Sequence, residues 1–196
     1  MPRSINVDQR RLEIAYAVWR VIQRAGLPAA SMREIAREAG CTTGALTHHF
    51  ADRRELLDFA LGLAIDGCTQ RVAEAAATGS LERAMAELLP LDEHRRAEGA
   101  VWLVSISAAQ HDPDLAASLS ARYAASHRLL RQAFRRSLAA AGHRLSAREV
   151  DLLVDEVITA VDGIAVYALA DPARYPPARQ RALAARVLGR VGLIEA

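Results

Sequence analysis

The sequence predicts an all-α protein, and three observations support this fold class. Apolar residues recur every three to four positions along most of the chain, as on the buried faces of amphipathic helices. Alternating patterns of the strand type are nearly absent. Alanine is abundant and aromatic residues make up only 5%, which favours helices over sheets. We expect about nine helices, with an N-terminal three-helix head that contains a helix-turn-helix and a larger C-terminal helical domain.

Three helices are predicted in the head. The first spans about residues 8–24, with apolar side chains on one stripe. Ser31 and Glu34 form an S-x-x-E capping box at the start of the second, in which each side chain bonds the other residue's amide. The second helix ends at Gly40, and the third covers about 42–49. We therefore place the head at residues 1–54 and a second helical domain at 55–196.

Further helices follow, delimited by capping and stop signals. Asp52 is a favourable N-cap, Asp112-Pro113 supplies an N-cap followed by a proline at the first helical position, and Ser146 with Glu149 forms a second capping box. A Thr-Gly-Ser break follows the fourth helix, Gly142 closes the seventh, and Asp171-Pro172 and Pro176-Pro177 precede the last. These six helices cover about 52–77, 81–89, 92–110, 112–141, 146–170 and 178–190.

Composition and charge exclude several classes of protein. Cys41 and Cys68 are the only cysteines and have no CxxC spacing, so neither a disulfide framework nor a structural zinc site is expected. The N-terminus lacks the apolar segment of a signal peptide, and the most apolar run, 99–109, is too short to span a bilayer. We therefore expect a soluble cytoplasmic protein. All of the excess positive charge lies in residues 1–60, which carry nine arginines against seven acidic residues.

Two short helices joined by Ala39-Gly40-Cys41 have the spacing of a helix-turn-helix, whose second helix enters the DNA major groove. That helix is rich in small and hydroxyl side chains, which can contact bases, phosphates and thymine methyl groups. Arg53 and Arg54 begin the next helix, where they can clamp a phosphate, and Arg3, Arg10 and Arg11 add charge. The predicted DNA contacts are Ser31, Arg33, Thr42, Thr43, Gly44, Ala45, Thr47, His48, Arg53 and Arg54.

The stretch SMREIAREAGCTTGALTHHFADRRELL, residues 31–57, strongly resembles the TetR family of bacterial transcriptional repressors. The matching positions are Ser31, Ile35, Ala36, Gly40, Gly44, Leu46, His49, Phe50, Arg53, Leu56 and Leu57. Thr47 departs from the tyrosine that is usual in the family, and Arg53 replaces the commoner lysine. Residues 161–188 resemble the C-terminal domain of the BetI-type subgroup.

The resemblance implies that residues 1–54 are the DNA-binding domain and that residues 55–196 form a regulatory domain for effector binding and dimerisation. It implies a homodimer that binds a pseudopalindromic operator in double-stranded DNA and releases it when a small-molecule effector binds. It implies a dimer interface on the last two helices, at Val150, Val154, Val157, Ile158, Val161, Ile164, Leu183 and Val187. An effector pocket would lie in the regulatory domain, although ordinary core packing explains each candidate equally well. The candidate pocket residues are Phe59, Leu63, Trp102, Ser105, Ile106, Tyr123, His127 and Phe134.

Other functions have weaker support. His48 and His49 are adjacent on a helix and point about 100° apart, so they cannot share one metal ion, and we expect neither a metal nor a cofactor. We expect a phosphate contact from His48 and a packing or capping role for His49. No catalytic motif is present, and we expect no enzyme. The alternatives are a small all-α enzyme with its active site in a central helical cavity, or a DNA-binding dimer without an effector.

Overall fold

A computed structural model of the chain describes residues 7–140 and 142–190. These residues contain nine α-helices, one short 3-10 helix and no strand, which confirms the all-α prediction. The helices are α1 Val7–Ala25, the 3-10 helix Leu27–Ala29, α2 Met32–Glu38, α3 Thr43–Thr47, α4 Arg53–Ala77, α5 Leu81–Ala86, α6 Glu93–Ala109, α7 Pro113–Ala140, α8 Ala147–Ala170 and α9 Pro177–Arg190.

Two compact units divide the described chain. The first combines the residues up to Ala64 with Ala100–Leu119, and the second combines Ile65–Gly99 with the residues from Ser120 onward. Three helices, α4, α6 and α7, therefore contribute to both units. The functional boundary expected between residues 54 and 55 falls within the first turn of α4 and stays a prediction.

The core of the first unit is built on the apolar stripe of α1. Ile14, Val18 and Trp19 are buried there. Trp19 also donates a hydrogen bond from Nε1 to the carbonyl oxygen of Ala60 over 2.7 Å, which joins α1 to α4. Trp19 is a core residue, and its polar ring nitrogen is satisfied, as a buried indole requires.

The core of the second unit is a large apolar cluster drawn from α4, α5, α7, α8 and α9. Its members include Met85, Phe134, Val154, Val157 and Leu188, all of them fully buried. Beside this cluster, the half-buried Arg71 guanidinium donates to Glu98 and Glu87. The Nη1 to Oε1 distance to Glu98 is 3.0 Å, and the Nε to Oε2 distance to Glu87 is 3.1 Å. Because these side chains are partly buried, their pairing offsets the free-energy cost of removing each charge from water.

The side-chain caps at the helix N-termini are largely those that the sequence predicts. Ser146 and Glu149 form the complete capping box at α8, with distances of 2.7 and 3.3 Å. The Ser31 hydroxyl accepts from the Glu34 amide over 3.2 Å, but the other half of this predicted box is wrong. The Glu34 carboxylate instead accepts from Arg24 and Arg37, because two guanidinium groups bind a carboxylate more strongly than one amide does.

None of the described helices is long and apolar enough to cross a membrane.

Candidate nucleic-acid interface

The connection between α2 and α3 is a tight turn. Gly40 has a φ of +64°, a left-handed conformation that glycine adopts without steric strain. The amide of Cys41 then donates to the carbonyl oxygen of Ala36 over 2.9 Å, which closes the end of α2. Thr42 begins the next helix, and its hydroxyl accepts from the Ala45 amide over 3.1 Å. The sequence thus folds locally into a capped helix-turn-helix.

The buried residues Leu46 and Phe50 fix the orientation of α3. Both lie in the core of the first unit, with exposures of 0% and 1%. The remaining surface of α3 and its two capping residues faces outward. Six predicted DNA contacts share this exposed surface: Thr42, Thr43, Gly44, Ala45, Thr47 and His48. The structure therefore brings them together on one short helix with small side chains, a shape that suits the major groove.

The three threonines of this surface differ in how their hydroxyls are used. Thr42 is the helix cap. Thr47 donates from Oγ1 to the carbonyl oxygen of Gly44 over 3.0 Å, so its proton is already committed to the helix. The Thr43 hydroxyl has no hydrogen-bond partner among the residues described. Thr43 is therefore the threonine of this surface whose hydroxyl is wholly available to a ligand, since Thr42 has one acceptor site and Thr47 its proton already engaged.

Two histidines end the helix in different environments. Their rings meet edge to face, with centroids 5.5 Å apart. His48 is exposed, whereas His49 is half-buried and its Nδ1 has no hydrogen-bond partner. Burial lowers the pKa of His49, and the neighbouring His48, Arg10 and Arg11 lower it further. In the part of the chain that the structure describes, no cluster of three or more His, Cys, Asp or Glu side chains has the arrangement of a metal site.

Arg11 joins three parts of the head. Its guanidinium lies over the rings of Phe50 and Phe59, at 4.2 and 4.7 Å from their centroids. It donates to the carbonyl oxygen of His49 over 2.6 Å and pairs with Glu55 at 3.2 Å. The sequence by itself indicates only a source of positive charge at this position. No local spacing could have revealed its role, because its partners lie 38 to 48 positions away along the chain.

Arg53 and Arg54 both have partners within the first unit. Arg53 donates from Nε to the carbonyl oxygen of Ala30 over 2.8 Å and from Nη2 to that of Leu27 over 3.2 Å. Arg54 is ion-paired with Asp114, at the start of α7. Arg53 thus fastens α4 to the segment before α2, while Arg54 is held only by another exposed side chain.

Most other arginines of the head are also paired. Arg20, Arg24 and Arg37 share the carboxylates of Glu34 and Glu38, at 2.5 to 2.9 Å. The Arg37 and Arg24 guanidinium groups lower the pKa of Glu34 to about 2.

Three other arginines of the N-terminal region stand apart from this group. Arg10 donates to Glu13 and to the carbonyl oxygen of Ala39. Arg33 is exposed on α2 and has no hydrogen-bond or ion-pair partner among the described residues. Arg3 lies outside them.

The eight candidate effector residues are distributed between the two units. Phe59, Leu63, Trp102, Ser105 and Ile106 belong to the first, and Tyr123, His127 and Phe134 belong to the second. Several have roles within their own unit. The buried Ser105 donates from Oγ to the carbonyl oxygen of Trp102 over 2.7 Å, and His127 Nδ1 lies 3.5 Å from Asp155. Phe134 is part of the apolar core, and Phe59 packs on Phe50. Their assignment to a pocket stays a prediction.

Half of the predicted dimer-interface residues are buried inside their own chain, and the assignment of the interface stays a prediction. Val150, Val154, Val157 and Val161 are 0 to 3% exposed because they form the side of α8 that packs into the second unit's core. Ile158, Ile164 and Val187 are partly buried against the same core, and Leu183 is half-buried.

The exposed face of α8 carries different apolar residues. Leu152 and Tyr167 are 61% and 62% exposed, and Val166 is 37% exposed. Between them, a Cβ added to Gly163 would have no neighbouring atom within 4 Å. The helix is apolar on more than one side, so periodicity alone could not tell the inward face from the outward one.

Comparison with known proteins gives consistent matches. The model of the bacterial regulatory proteins of the TetR family matches residues 16–59, and that of the C-terminal domain of BetI-type transcriptional repressors matches residues 77–192. The HTH-type transcriptional regulator PksA of Bacillus subtilis (strain 168) is 32% identical over 182 residues, which cover 89% of this chain and 85% of that protein. The HTH-type transcriptional regulator BetI of Vibrio parahaemolyticus is 28% identical over 181 residues, covering 84% and 82%.

Solved structures share the fold over nearly the whole chain. A transcriptional regulator from Rhodococcus sp. Rha1 superposes with a TM-score of 0.76 at 29% identity, covering 92% of this chain and 95% of that one. A structure described as a transcriptional regulator from Saccharomonospora viridis in complex with choline gives 0.77 at 19% identity, covering 93% and 96%. At that identity the second likeness concerns the fold alone.

Proposed function

The chain belongs to the TetR family of bacterial regulatory proteins and is a DNA-binding transcriptional regulator, and we propose that it represses transcription as a homodimer on a pseudopalindromic operator. A small-molecule effector would release it from that operator. The observation that carries the DNA-binding part of the proposal is the exposed surface of α3, held outward by the burial of Leu46 and Phe50.

Base reading is assigned to the side chains of α3. The helix is short and its outward side chains are small, so its backbone can approach the floor of the major groove closely. Thr43 offers a hydroxyl without a competing partner, and Ala45 and the threonine methyl groups can contact thymine methyl groups. Thr47 keeps a hydroxyl oxygen that can still accept a hydrogen bond while its proton bonds Gly44.

Phosphate binding is assigned to the arginines around this surface, with different roles for the two that begin α4. Arg33 is exposed without a described partner. Arg54 is held by a single exposed ion pair with Asp114, which costs little to exchange for a phosphate. Arg53 is held by two main-chain carbonyls, so we assign it chiefly to positioning the start of α4. His48 and Ser31 lie exposed beside these groups and complete the proposed contacts.

Dimerisation is assigned to the outward face of α8, together with the half-buried Leu183 and Val187 of α9. An exposed apolar stripe on a long helix is a surface that a second copy of the chain can bury. Leu152, Val166 and Tyr167 flank Gly163, whose missing side chain would let a second helix approach closely. A two-fold dimer would present its two recognition helices about 34–36 Å apart, or a multiple of that distance.

The effector is proposed from the family resemblance and from the helical domain that follows the head. The structure from Saccharomonospora viridis holds choline, and this fold therefore accommodates a small molecule in that protein. Any effector acts here only through its different affinity for the DNA-binding and released forms of the dimer. We retain the eight residues named from the sequence as candidates for its contacts.

One experiment tests the regulatory proposal against its alternatives. Operator fragments from the promoter nearest the gene are titrated with the full chain at several salt concentrations. For DNA binding through phosphates, log K should fall with log salt by about 0.9 per phosphate neutralised. A salt-independent response would contradict DNA binding.

A panel of metabolites is then tested for release of the bound protein from the operator. Turnover of a panel member would favour the enzyme alternative, and an operator complex unaffected by all of them would favour a dimer without an effector.

A further inference from the structure

An open groove of about 730 Å³ lies within the first unit; no residue of α3 lines it, but Arg53 and Arg54 at the start of α4 do. Its walls are the first turns of α4 and the corner where α6 ends and α7 begins. The floor is apolar and consists of Leu27, Leu57, Leu61, Ala108 and Leu115. Leu57 and Leu61 are buried beneath it. A volume of this size fits the range of about 300–1,000 Å³ found for small-molecule sites.

Carboxylates dominate the rim of the groove. They are Asp52, Glu55, Asp58, Asp112 and Asp114, against the two arginines Arg53 and Arg54. Arg54 pairs with Asp114, and Glu55 pairs with Arg11. Arg53 donates to two carbonyl oxygens. Three aspartates, Asp52, Asp58 and Asp112, therefore form no direct ion pair among the described residues, although the Arg54 guanidinium also attracts Asp52 and Asp112 electrostatically.

Each of those three aspartates has one oxygen engaged and one available. Oδ1 of Asp52 accepts from the Glu55 amide at 2.8 Å, and Oδ1 of Asp58 accepts from the Ser118 hydroxyl at 2.7 Å. Oδ1 of Asp112 accepts from the amides of Asp114 and Leu115, both at 3.1 Å. Oδ2 of each carboxylate has no hydrogen-bond partner in the described part of the chain. The engaged oxygens hold the carboxylates in place, and the other oxygens remain able to accept from a ligand.

We propose that this groove is a binding site for an amphipathic organic cation, a molecule with an ammonium or guanidinium group on an apolar body. The apolar body would cover the leucine floor, and the cation would donate to the Oδ2 atoms of Asp58 and Asp112. A carboxylate or phosphate ligand is disfavoured, because five carboxylates line the groove against only two arginines, and a ligand of like charge would be repelled. A neutral apolar ligand would leave those carboxylates desolvated and unpaired.

This site differs from the effector site expected from the family resemblance. None of the eight candidate effector residues lines the groove. The proposal also does not depend on operator binding, since it concerns a direct complex between the chain and a small cation. A bound cation would join the first turns of α4 and α7, where Asp58 and Ser118 already meet. Because it binds only the folded protein, it would raise the unfolding temperature.

The test compares two probes with the same body and opposite charge, 4-phenylbutylamine and 4-phenylbutanoate. Each is titrated into the full chain by calorimetry, and unfolding temperatures are recorded in parallel. We expect the amine to bind and to raise the unfolding temperature, and the acid to do neither. Equal binding of the two probes, or binding of neither, would overturn the proposal.

Amino-acid substitutions in the groove and outside it test whether the amine binds at the proposed site. Asp58→Asn with Asp112→Asn keeps the acceptor oxygens and the helix cap but removes both charges, and should weaken amine binding by about tenfold or more. Glu82→Gln removes one charge from an exposed residue of α5 in the second unit and should leave binding unchanged. Ala108→Leu keeps every charge but fills the floor, and should also reduce amine binding, which covers the case in which the double variant folds poorly. Undiminished binding by the Ala108→Leu variant, or an equal loss in Glu82→Gln, would place the amine elsewhere and reject the site.

Discussion

Arg53 donates a hydrogen bond from Nε to the carbonyl oxygen of Ala30, over 2.8 Å. Ala30 immediately precedes Ser31, the N-cap of α2, and a second bond reaches Leu27. The first turn of α4 and the start of the helix-turn-helix are therefore fastened together by one side chain. Any movement of the start of α4 must either carry α2 with it or break these two bonds.

Replacing Arg53 tests this positioning role. Arg53→Ala should destabilise the protein by about 1–3 kcal/mol, because two charge-assisted hydrogen bonds to main-chain carbonyls are lost. Arg33→Ala is the matched control, since Arg33 is exposed without a described partner. Denaturant unfolding and operator titration are measured for both. Arg33→Ala should weaken operator binding and reduce its salt dependence at unchanged stability. If both variants keep wild-type stability, Arg53 has no positioning role.

Neighbouring threonines of the recognition helix should respond differently to substitution. Thr42→Ala removes the N-cap of α3 and should cost about 1 kcal/mol of stability, whereas Thr42→Ser keeps the cap. Thr43→Val keeps a branched side chain of similar size but removes the free hydroxyl, so it should change operator preference with little loss of stability. Binding to a library of operator variants measures the preference. A uniform loss on all sequences would show that Thr43 contacts phosphate rather than a base.

The stability of the second unit should depend on pH through Asp162. Burial raises the pKa of this carboxyl to about 6, from an ordinary value of 3.8. The folded state therefore holds the proton at a pH where the unfolded chain has lost it, and stability falls as pH rises from about 4 to above 6. The ionised carboxylate costs up to about 3 kcal/mol at neutral pH.

Asp162→Asn should accordingly stabilise the protein at pH 7.5 and have little effect near pH 4. Glu156→Gln, an exposed change on the same helix, is the control. Urea unfolding across this pH range gives the comparison. A stability gain for Asp162→Asn that is the same at every pH would show that ionisation of this group is not its cause.

The two cysteines should differ in reactivity. Burial raises the pKa of the Cys68 thiol to about 12, and its Sγ lies 3.6 Å from the carbonyl oxygen of Glu87, to which it donates. The thiolate is the reactive form, so Cys68 should resist thiol reagents at pH 8 until the protein unfolds. Cys41, at the partly exposed helix-turn-helix corner, should react first. Cys41→Ser and Cys68→Ser assign the two reactions, and rapid labelling of folded Cys41→Ser would contradict this prediction.

Gly163 allows the proposed dimer face to be tested without disturbing the fold. Gly163→Arg adds a side chain into open space on an exposed helix face, so the single chain should stay folded while close approach of a second helix is blocked. Sedimentation should show dissociation to monomers and operator affinity should fall. Ala139→Arg adds the same side chain to an exposed position on α7 and should leave assembly unchanged. Continued dimerisation of Gly163→Arg would move the interface off this face of α8.

The amino-acid sequence by itself determined the helices and most of their ends. The Ser146 and Glu149 box, the Asp52 and Asp112 caps and the left-handed Gly40 turn all depend on residues within a few positions of one another. Such interactions follow directly from local spacing. The exposure of the threonines on α3 was also predictable, since Leu46 and Phe50 are four positions apart on the inward side.

Only the tertiary structure decided which partners the charged side chains take and which side of α8 faces outward. Arg11 reaches His49 and Glu55, and Arg53 reaches Ala30, across separations that sequence spacing does not encode. On α8, Val154 and Val157 turn inward while Leu152 stays exposed, although all three are equally apolar. A long flexible side chain pairs with whichever group lies near it in space, and the buried side of an apolar helix is the side against which other elements pack. Both therefore depend on contacts between segments that are distant in the sequence.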